Sequence, residues 1–205
     1  MSNPLASADP EVWNSLVSAV HPDSILVVIG YRMGPELRRH VSAEDVLQET
    51  LLKAWRGRRD FTWQGAPSFR RWLLQIAEHC VEDQRDRSQA QKRATTRTVP
   101  LNRSNPGPDG SDSGRGDLEP WTSTTPSRMA DARERAAAMD LSLEELPDDV
   151  REVVRLRLFE DLQIDEIAAR LGIGESAVRH RFRKGAELYR ERLRLRLGPS
   201  SREPT

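Results

Sequence analysis

The spacing of apolar positions divides the chain into two stretches of helical pattern separated by one with no pattern. In the first, Val12, Leu16 and Ala19 recur at helical spacing, with Trp13, Val17 and Val20 beside them. The run Ile25 to Ile29 is ambiguous, because a β-branched run also suits a strand. Ser42 precedes Asp45 by three and makes a start resembling a capping box, with Asp replacing the usual Glu. The helix that follows gathers Val46, Leu47, Thr50, Leu51 and Ala54 on one side and leaves Asp45, Gln48, Glu49 and Lys53 largely off it. Gly57 is its expected stop. Ser68 is read as the cap of a further helix, in which Phe69, Leu73, Ile76 and Cys80 recur at spacings of four, three and four. No period-two run of useful length occurs, so residues 11–87 are predicted to form an all-helical domain.

Residues 88–130 break the pattern with Pro100, Pro106, Pro108, Pro120 and Pro126, four Gly and six Ser. Such a stretch buries too little apolar surface to offset the entropy of ordering, and it is predicted to be a flexible or extended linker between two domains. The second domain is expected over 131–197. Val150, Val153, Val154 and Leu158 make one stripe there, and Ile164, Ile167, Ala168 and Leu171 make a second. Gly172-Ile173-Gly174 interrupts, and Val178, Phe182, Ala186, Tyr189 and Leu193 make a third. Residues 198–205 read as a disordered tail. The predicted fold class is therefore all-α, two small helical domains on a long linker.

A short helix, a three-residue glycine turn and a second amphipathic helix form the order of a helix-turn-helix, whose second helix enters the DNA major groove. Gly172 suits the left-handed residue of the turn, and Ile173 can plug the core between the two helices. With Val178, Phe182 and Tyr189 facing inward, Ser176, His180, Arg183 and Lys184 point outward, flanked by Arg179 and Arg181. Arg can bind guanine bidentately and Lys can hold phosphate. The plainer alternative is a helical hairpin whose charges are merely solvated.

Charge strengthens the first reading. Net charge is zero over 205 residues, yet residues 131–175 carry 13 acids against six Arg, and residues 176–197 carry seven Arg and Lys184 against two Glu. A reversal from −7 to +6 along one short segment suits a face built for a polyanion. A second cationic stretch, WRGRRDFTWQGAPSFRRW over 55–72, interleaves Trp55, Phe61, Trp63, Phe69 and Trp72 with Arg56, Arg58, Arg59, Arg70 and Arg71. Aromatic rings stack on exposed bases while Arg tracks the backbone. Trp55 and much of Phe69 are expected in a core instead, and Trp63, beside Gln64 and Gly65, is the better stacking candidate.

Composition excludes other classes. No apolar run approaches the length of a membrane span, and no basic-then-apolar segment opens the chain, so a cytoplasmic protein is expected. The single cysteine, Cys80, allows no internal disulfide and lies on an apolar stripe, where a buried inert thiol is expected. None of His21, His40, His79 and His180 forms a metal-ligand pair, and no phosphate-binding glycine loop or nucleophile elbow is present. Neither catalysis nor a cofactor is implied.

Three blocks also carry a resemblance. Ala43-Glu44-Asp45-Val46-Leu47-Gln48-Glu49-Thr50-Leu51-Leu52-Lys53-Ala54-Trp55 resembles the polymerase-docking helix of bacterial sigma factors. Phe69 to Ala77, continuing to Asp83 and Arg85, resembles the promoter-reading helix that follows it. Leu146-Pro147 to Val154, Leu162 to Leu171 and Val178 to Phe182 resemble the domain that reads the upstream promoter element. In this order, with a linker and no domain between, the chain is similar to the extracytoplasmic-function group of the sigma-70 family.

The resemblance implies a transcription initiation factor that binds core RNA polymerase and promoter DNA. Asp45, Gln48 and Glu49 would meet the coiled coil of the beta-prime clamp. The loop from Phe61 to Ser68 and the helix from Phe69 to Arg87, with Trp63, Phe69, Arg70, Trp72 and His79, would bind the minus-ten element as opened strand. Ser176, Arg179, His180, Arg181, Arg183 and Lys184 would read the minus-thirty-five element. The linker would follow the polymerase RNA-exit path, and an anti-sigma protein would be the regulator. The chain departs from the pattern at Glu78-His79, where the family often has Arg-Asn, at Gly174, often Ser, and at Ala177, usually Thr. Two other readings fit the same residues: a standalone helix-turn-helix regulator, and a degenerate sigma-like protein that docks on polymerase without initiating.

Overall fold

The computed structural model describes residues 3–6, 9–97 and 126–198. The described residues fold into eight α-helices and a single 3-10 turn at Pro4–Ala6, with no strand among them. The N-terminal module holds α1 (Pro10–Ala19), α2 (Pro22–Leu37), α3 (Ala43–Gly57) and α4 (Ala66–Arg97). The C-terminal module holds α5 (Pro126–Glu144), α6 (Asp148–Leu158), α7 (Ile164–Leu171) and α8 (Glu175–Leu197).

Of the two caps expected from sequence, Ser42 opens its helix and Ser68 does not. Asp9 accepts from the Glu11 amide to open α1. Ser42 opens α3 by accepting from the Asp45 amide at 3.1 Å, while its hydroxyl donates to the Asp45 carboxylate at 2.7 Å. Ser68 does not cap α4, which begins two residues earlier. Gly65, at φ 99°, turns the chain, and the Ser68 hydroxyl accepts from the Gln64 amide and donates to the Gly65 carbonyl. The expected linker is shorter at both ends, because α4 continues to Arg97 and α5 begins at Pro126. Its middle, 98–125, and the tail from 199 lie outside the described residues.

In α1 the buried face is Trp13 and Val17, with Val20 just beyond, while Ala19 is exposed and Val12 and Leu16 are half-buried. The ambiguous run is helix: all five residues from Ile25 to Ile29 are buried. A helix that is apolar all round needs cover on every side. Here α3 and α4 cover α2 from its own module, and α5 covers it from the other. The apolar core accordingly runs across both modules, from Trp13, Leu47, Phe69 and Leu73 to Ala132, Leu143, Val150 and Tyr189. A second, smaller cluster of Val153, Leu156, Ile167 and Val178 holds the helix-turn-helix together, with Ile173 packed against it.

Candidate nucleic-acid interface

The helix-turn-helix is built where the sequence pattern put it. Gln163 and Glu166 form a capping box at the start of α7, and Gly172 ends it in the left-handed region at φ 64° and ψ 31°. Gly174 begins α8 without a side-chain cap. Val178 is fully buried, and Phe182 packs against both apolar clusters. Gly185 lets α8 approach α6 closely: a Cβ there would lie 2.5 Å from a Val154 methyl and 3.1 Å from the Val150 Cβ. These contacts fix the roll of α8.

With that roll set, Ser176, Arg179, His180, Arg183 and Lys184 are exposed and Arg181 is half-buried. Arg179 pairs with Glu175 one turn back at 2.5 Å. Among the described residues Arg181, Arg183 and Lys184 have no ion-pair partner. The exposed N-terminal half of α8 therefore offers long donors and positive charge beside a helix N-terminus, where backbone N–H groups also favour anions. Further along, Arg192 and Arg196 lean on Glu145.

The aromatic stretch divides into core and rim. Trp13, Trp55 and Phe69 pack edge to face, with centroids 5.2 Å and 5.8 Å from Trp13. Phe61 stacks on Trp72 at 4.6 Å, and Trp63 lies 6.0 Å from Phe69. Phe69 is fully enclosed, so it offers no face to a base; its ring is the hub against which Phe61, Trp63 and Trp72 are set. Trp63 and Trp72 are half-buried, and Phe61, Trp72, Gln64 and Ser68 line a shallow depression with Gly57, Asp60 and Thr62.

The five arginines of that stretch also divide. Arg56, Arg59 and Arg71 are exposed. Arg58 is buried over the Trp55 ring at 3.5 Å and donates to the Trp55 carbonyl. Arg70 is nearly enclosed. Its guanidinium donates to the Val20 carbonyl and the Ser24 hydroxyl, each at 2.9 Å, and to the Phe159 carbonyl at 2.6 Å and the Asp161 carboxylate at 2.7 Å. In this arrangement Arg70 does not face solvent, contrary to its expected place on a DNA-facing surface. Exposed His79 does, while Glu78 is paired with Arg32 at 3.1 Å.

On α3, Asp45 and Gln48 are exposed, but Glu49 is drawn inward. Lys53 lies 3.3 Å from Glu49 and 2.8 Å from Asp83, and Gln84 donates to Glu49 at 3.0 Å. The hydrogen bond to Asp83 holds the Lys53 amine well above its ordinary range, and the same bond holds the Asp83 carboxyl below its own. Cys80 is fully buried, and burial pushes its thiol up. Among the described residues no group of His, Cys, Asp and Glu is arranged to hold a metal ion. No single helix among them is long and apolar enough to cross a membrane; α1 with α2 passes on length and composition, but bent by 64°.

The contacts between modules carried little sequence signal. Arg32 bridges Glu78 and Glu160, at 3.1 Å each. Glu160 is buried, pairing also with Arg155, whose guanidinium lies 3.7 Å over the Tyr31 ring. Five adjacent apolar residues in a helix were the available hint that α2 is covered twice.

Comparison with known proteins follows the same division. The family described as "Sigma-70 region 2" matches residues 24–91, and "Sigma-70, region 4" matches 136–187. Together these cover more than half of the chain. No curated protein matches it. Twelve chains of solved structures do. One, from a structure described as the RsbN–BldN complex, is 23% identical over 88% of this chain and 91% of that one, with a TM-score of 0.29.

Proposed function

Since this chain belongs to the sigma-70 family, in its extracytoplasmic-function group, we propose that it docks on core RNA polymerase and directs promoter recognition, DNA melting and initiation. The observation that carries the reading is the order of the two matched regions along one chain, region 2 before region 4, with the exposed cationic half of α8 on the latter.

The division of labour follows from the faces. Ser176, Arg179, His180, Arg181, Arg183 and Lys184 read duplex at the minus-thirty-five element, where α8 enters the major groove. Trp63, Trp72 and His79 contact opened strand at the minus-ten element, with Phe69 as their internal support. Arg70, held by Val20, Ser24, Phe159 and Asp161, is not offered to the strand in this arrangement. Asp45 and Gln48 meet the beta-prime clamp, and Glu49, held by Lys53, contributes negative charge from behind. Polymerase performs the chemistry, so this chain supplies position and strand capture.

The rival reading, a standalone helix-turn-helix regulator, makes the opposite prediction about dependence on polymerase. Fluorescence anisotropy with a labelled promoter duplex, measured with the chain alone, core polymerase alone and both together, separates the two. Specific binding that needs both components supports the proposal. Tight, sequence-specific binding by the chain alone, with no co-elution with core polymerase, refutes it.

A further inference from the structure

The loop between α3 and α4 is held in part from outside itself. Residues 61–65 have no regular secondary structure. The second half of the loop is fixed locally, where the Ser68 hydroxyl accepts from the Gln64 amide and donates to the Gly65 carbonyl. Its first half has no such local tie among the described residues. There the side-chain amide of Asn3 donates to the Phe61 carbonyl at 3.0 Å, across 58 residues of sequence.

Asn3 is set for this bond by its own turn. Its side-chain oxygen accepts from the Leu5 amide at 2.9 Å, which leaves the side-chain nitrogen for Phe61. Turned over, the amide would set oxygen against oxygen and N–H against N–H, so the two bonds together fix its orientation. Leu5, in the 3-10 turn Pro4–Ala6, is buried in the apolar cluster on which Phe61, Trp63 and Trp72 also pack. Three residues of 3-10 helix have little stability of their own, so the burial of Leu5 is what keeps Asn3 in place.

We propose that Asn3 is a positioning residue for strand capture: it fixes the Phe61 carbonyl, and through it the rings that receive an unpaired base. This rests on the sigma-factor reading for its consequence, but the tie itself is a property of the chain alone. Phe61 stacks on Trp72 at 4.6 Å and lies 6.5 Å from Trp63. Phe61, Thr62, Gln64 and Trp72 also border the depression there. A shift of the Phe61 backbone therefore moves the ring pair and the rim together. A loop that must order on binding weakens affinity by the fraction of time it is already in place. One neutral hydrogen bond is worth about fivefold in such a fraction. Asn3 acts through the loop, so neither polymerase docking by α3 nor duplex reading by α8 depends on it.

The test uses the full chain in two variants. Asn3→Asp keeps the oxygen that accepts from Leu5 and removes the N–H that reaches Phe61. Asn3→Ala removes both and adds no charge. On the free chain, near-ultraviolet circular dichroism reads the packing of the aromatic rings, and the far-ultraviolet signal reads helix content and unfolding temperature. With core RNA polymerase saturated by the chain, permanganate reactivity of unpaired thymines reads opening of the genomic fragments from which the wild type directs transcripts. Both variants are expected to lose part of the near-ultraviolet signal and to unfold within about 4 °C of the wild type. Both are expected to bind core polymerase as the wild type does and to open DNA about fivefold less. A near-ultraviolet spectrum unchanged in both variants overturns the tie. Wild-type opening in both overturns the role in strand capture. A loss in Asn3→Asp alone overturns it too, because the added charge then accounts for the loss. Opening that falls only in step with polymerase binding assigns Asn3 to the fold and also overturns the role. A wild type that opens no fragment with polymerase refutes the sigma-factor reading instead, and the spectra still decide the tie.

Discussion

Gly185 is where α8 is fixed to α6, and Gly185→Ala perturbs that contact with one methyl group. The new Cβ would lie 2.5 Å from Val154 Cγ2 and 3.1 Å from Val150 Cβ. Ordinary carbon contacts are about 3.5–4.0 Å, so α8 must back away by about 1 Å or Val154 must leave its rotamer. Overpacking of this kind costs about 1–3 kcal/mol. Replacing a helical glycine by alanine returns about 1 kcal/mol of intrinsic propensity, leaving a net loss of about 0–2 kcal/mol. The unfolding temperature followed by circular dichroism should then fall by up to about 8 °C for a chain of this size. Val154→Ala removes the methyl groups in the way, so the double variant should be more stable than the two single effects predict by about 1 kcal/mol. Gly185→Ala more stable than the wild type by about 1 kcal/mol would mean that propensity alone acts there. Strict additivity with Val154→Ala would mean that the helices do not meet at this point. Either result would also remove the reason given for the roll of α8, and with it the outward placement of His180 and Lys184.

Three further outcomes follow. Arg179→Ala with Lys184→Ala should lower promoter-specific transcription by at least tenfold while leaving polymerase binding intact, and the salt dependence of duplex binding should weaken by about one unit of slope for each phosphate no longer held. Asp45→Ala with Gln48→Ala should do the reverse, lowering affinity for core polymerase about tenfold in titration while duplex binding persists; unchanged polymerase affinity would exclude that face as the docking surface. Burial, with added repulsion from Glu144 and a partial offset from Arg38, raises the Asp140 carboxyl above its ordinary value. A carboxyl raised in the folded state binds its proton more readily there, so stability is lost as pH rises through that value. Asp140→Asn should therefore raise the unfolding temperature at pH 7 and lose that advantage below the unfolded carboxylate range, near pH 3.

The helix-turn-helix was legible because each of its parts has a local cause. The apolar stripe of α7, the left-handed glycine at 172 and the inward row Val178–Phe182–Tyr189 all act within a few residues. Helix α3 was legible for the same reason, from its Ser42 cap to its Gly57 stop. Phe69 was expected largely in the core, and it is the enclosed hub because Trp13, Phe61 and Trp72 converge on it. Where the reading failed, distant chain decided the outcome. Arg58 and Arg71 look alike in sequence, but Trp55 takes Arg58 into the core. Arg70 is occupied by acceptors 46 to 91 residues away, which no local pattern encodes. Ser68 was a reasonable cap by residue type, and the left-handed Gly65 displaced the helix start.

The central claim is that this chain lends promoter specificity to an enzyme that lacks it. Run-off transcription by purified core RNA polymerase on genomic fragments, with and without the chain, tests this most directly. Discrete transcripts that depend on the chain, and that Arg179→Ala with Lys184→Ala abolishes, are the predicted result. Transcription that is the same with and without the chain, on every fragment, would contradict it.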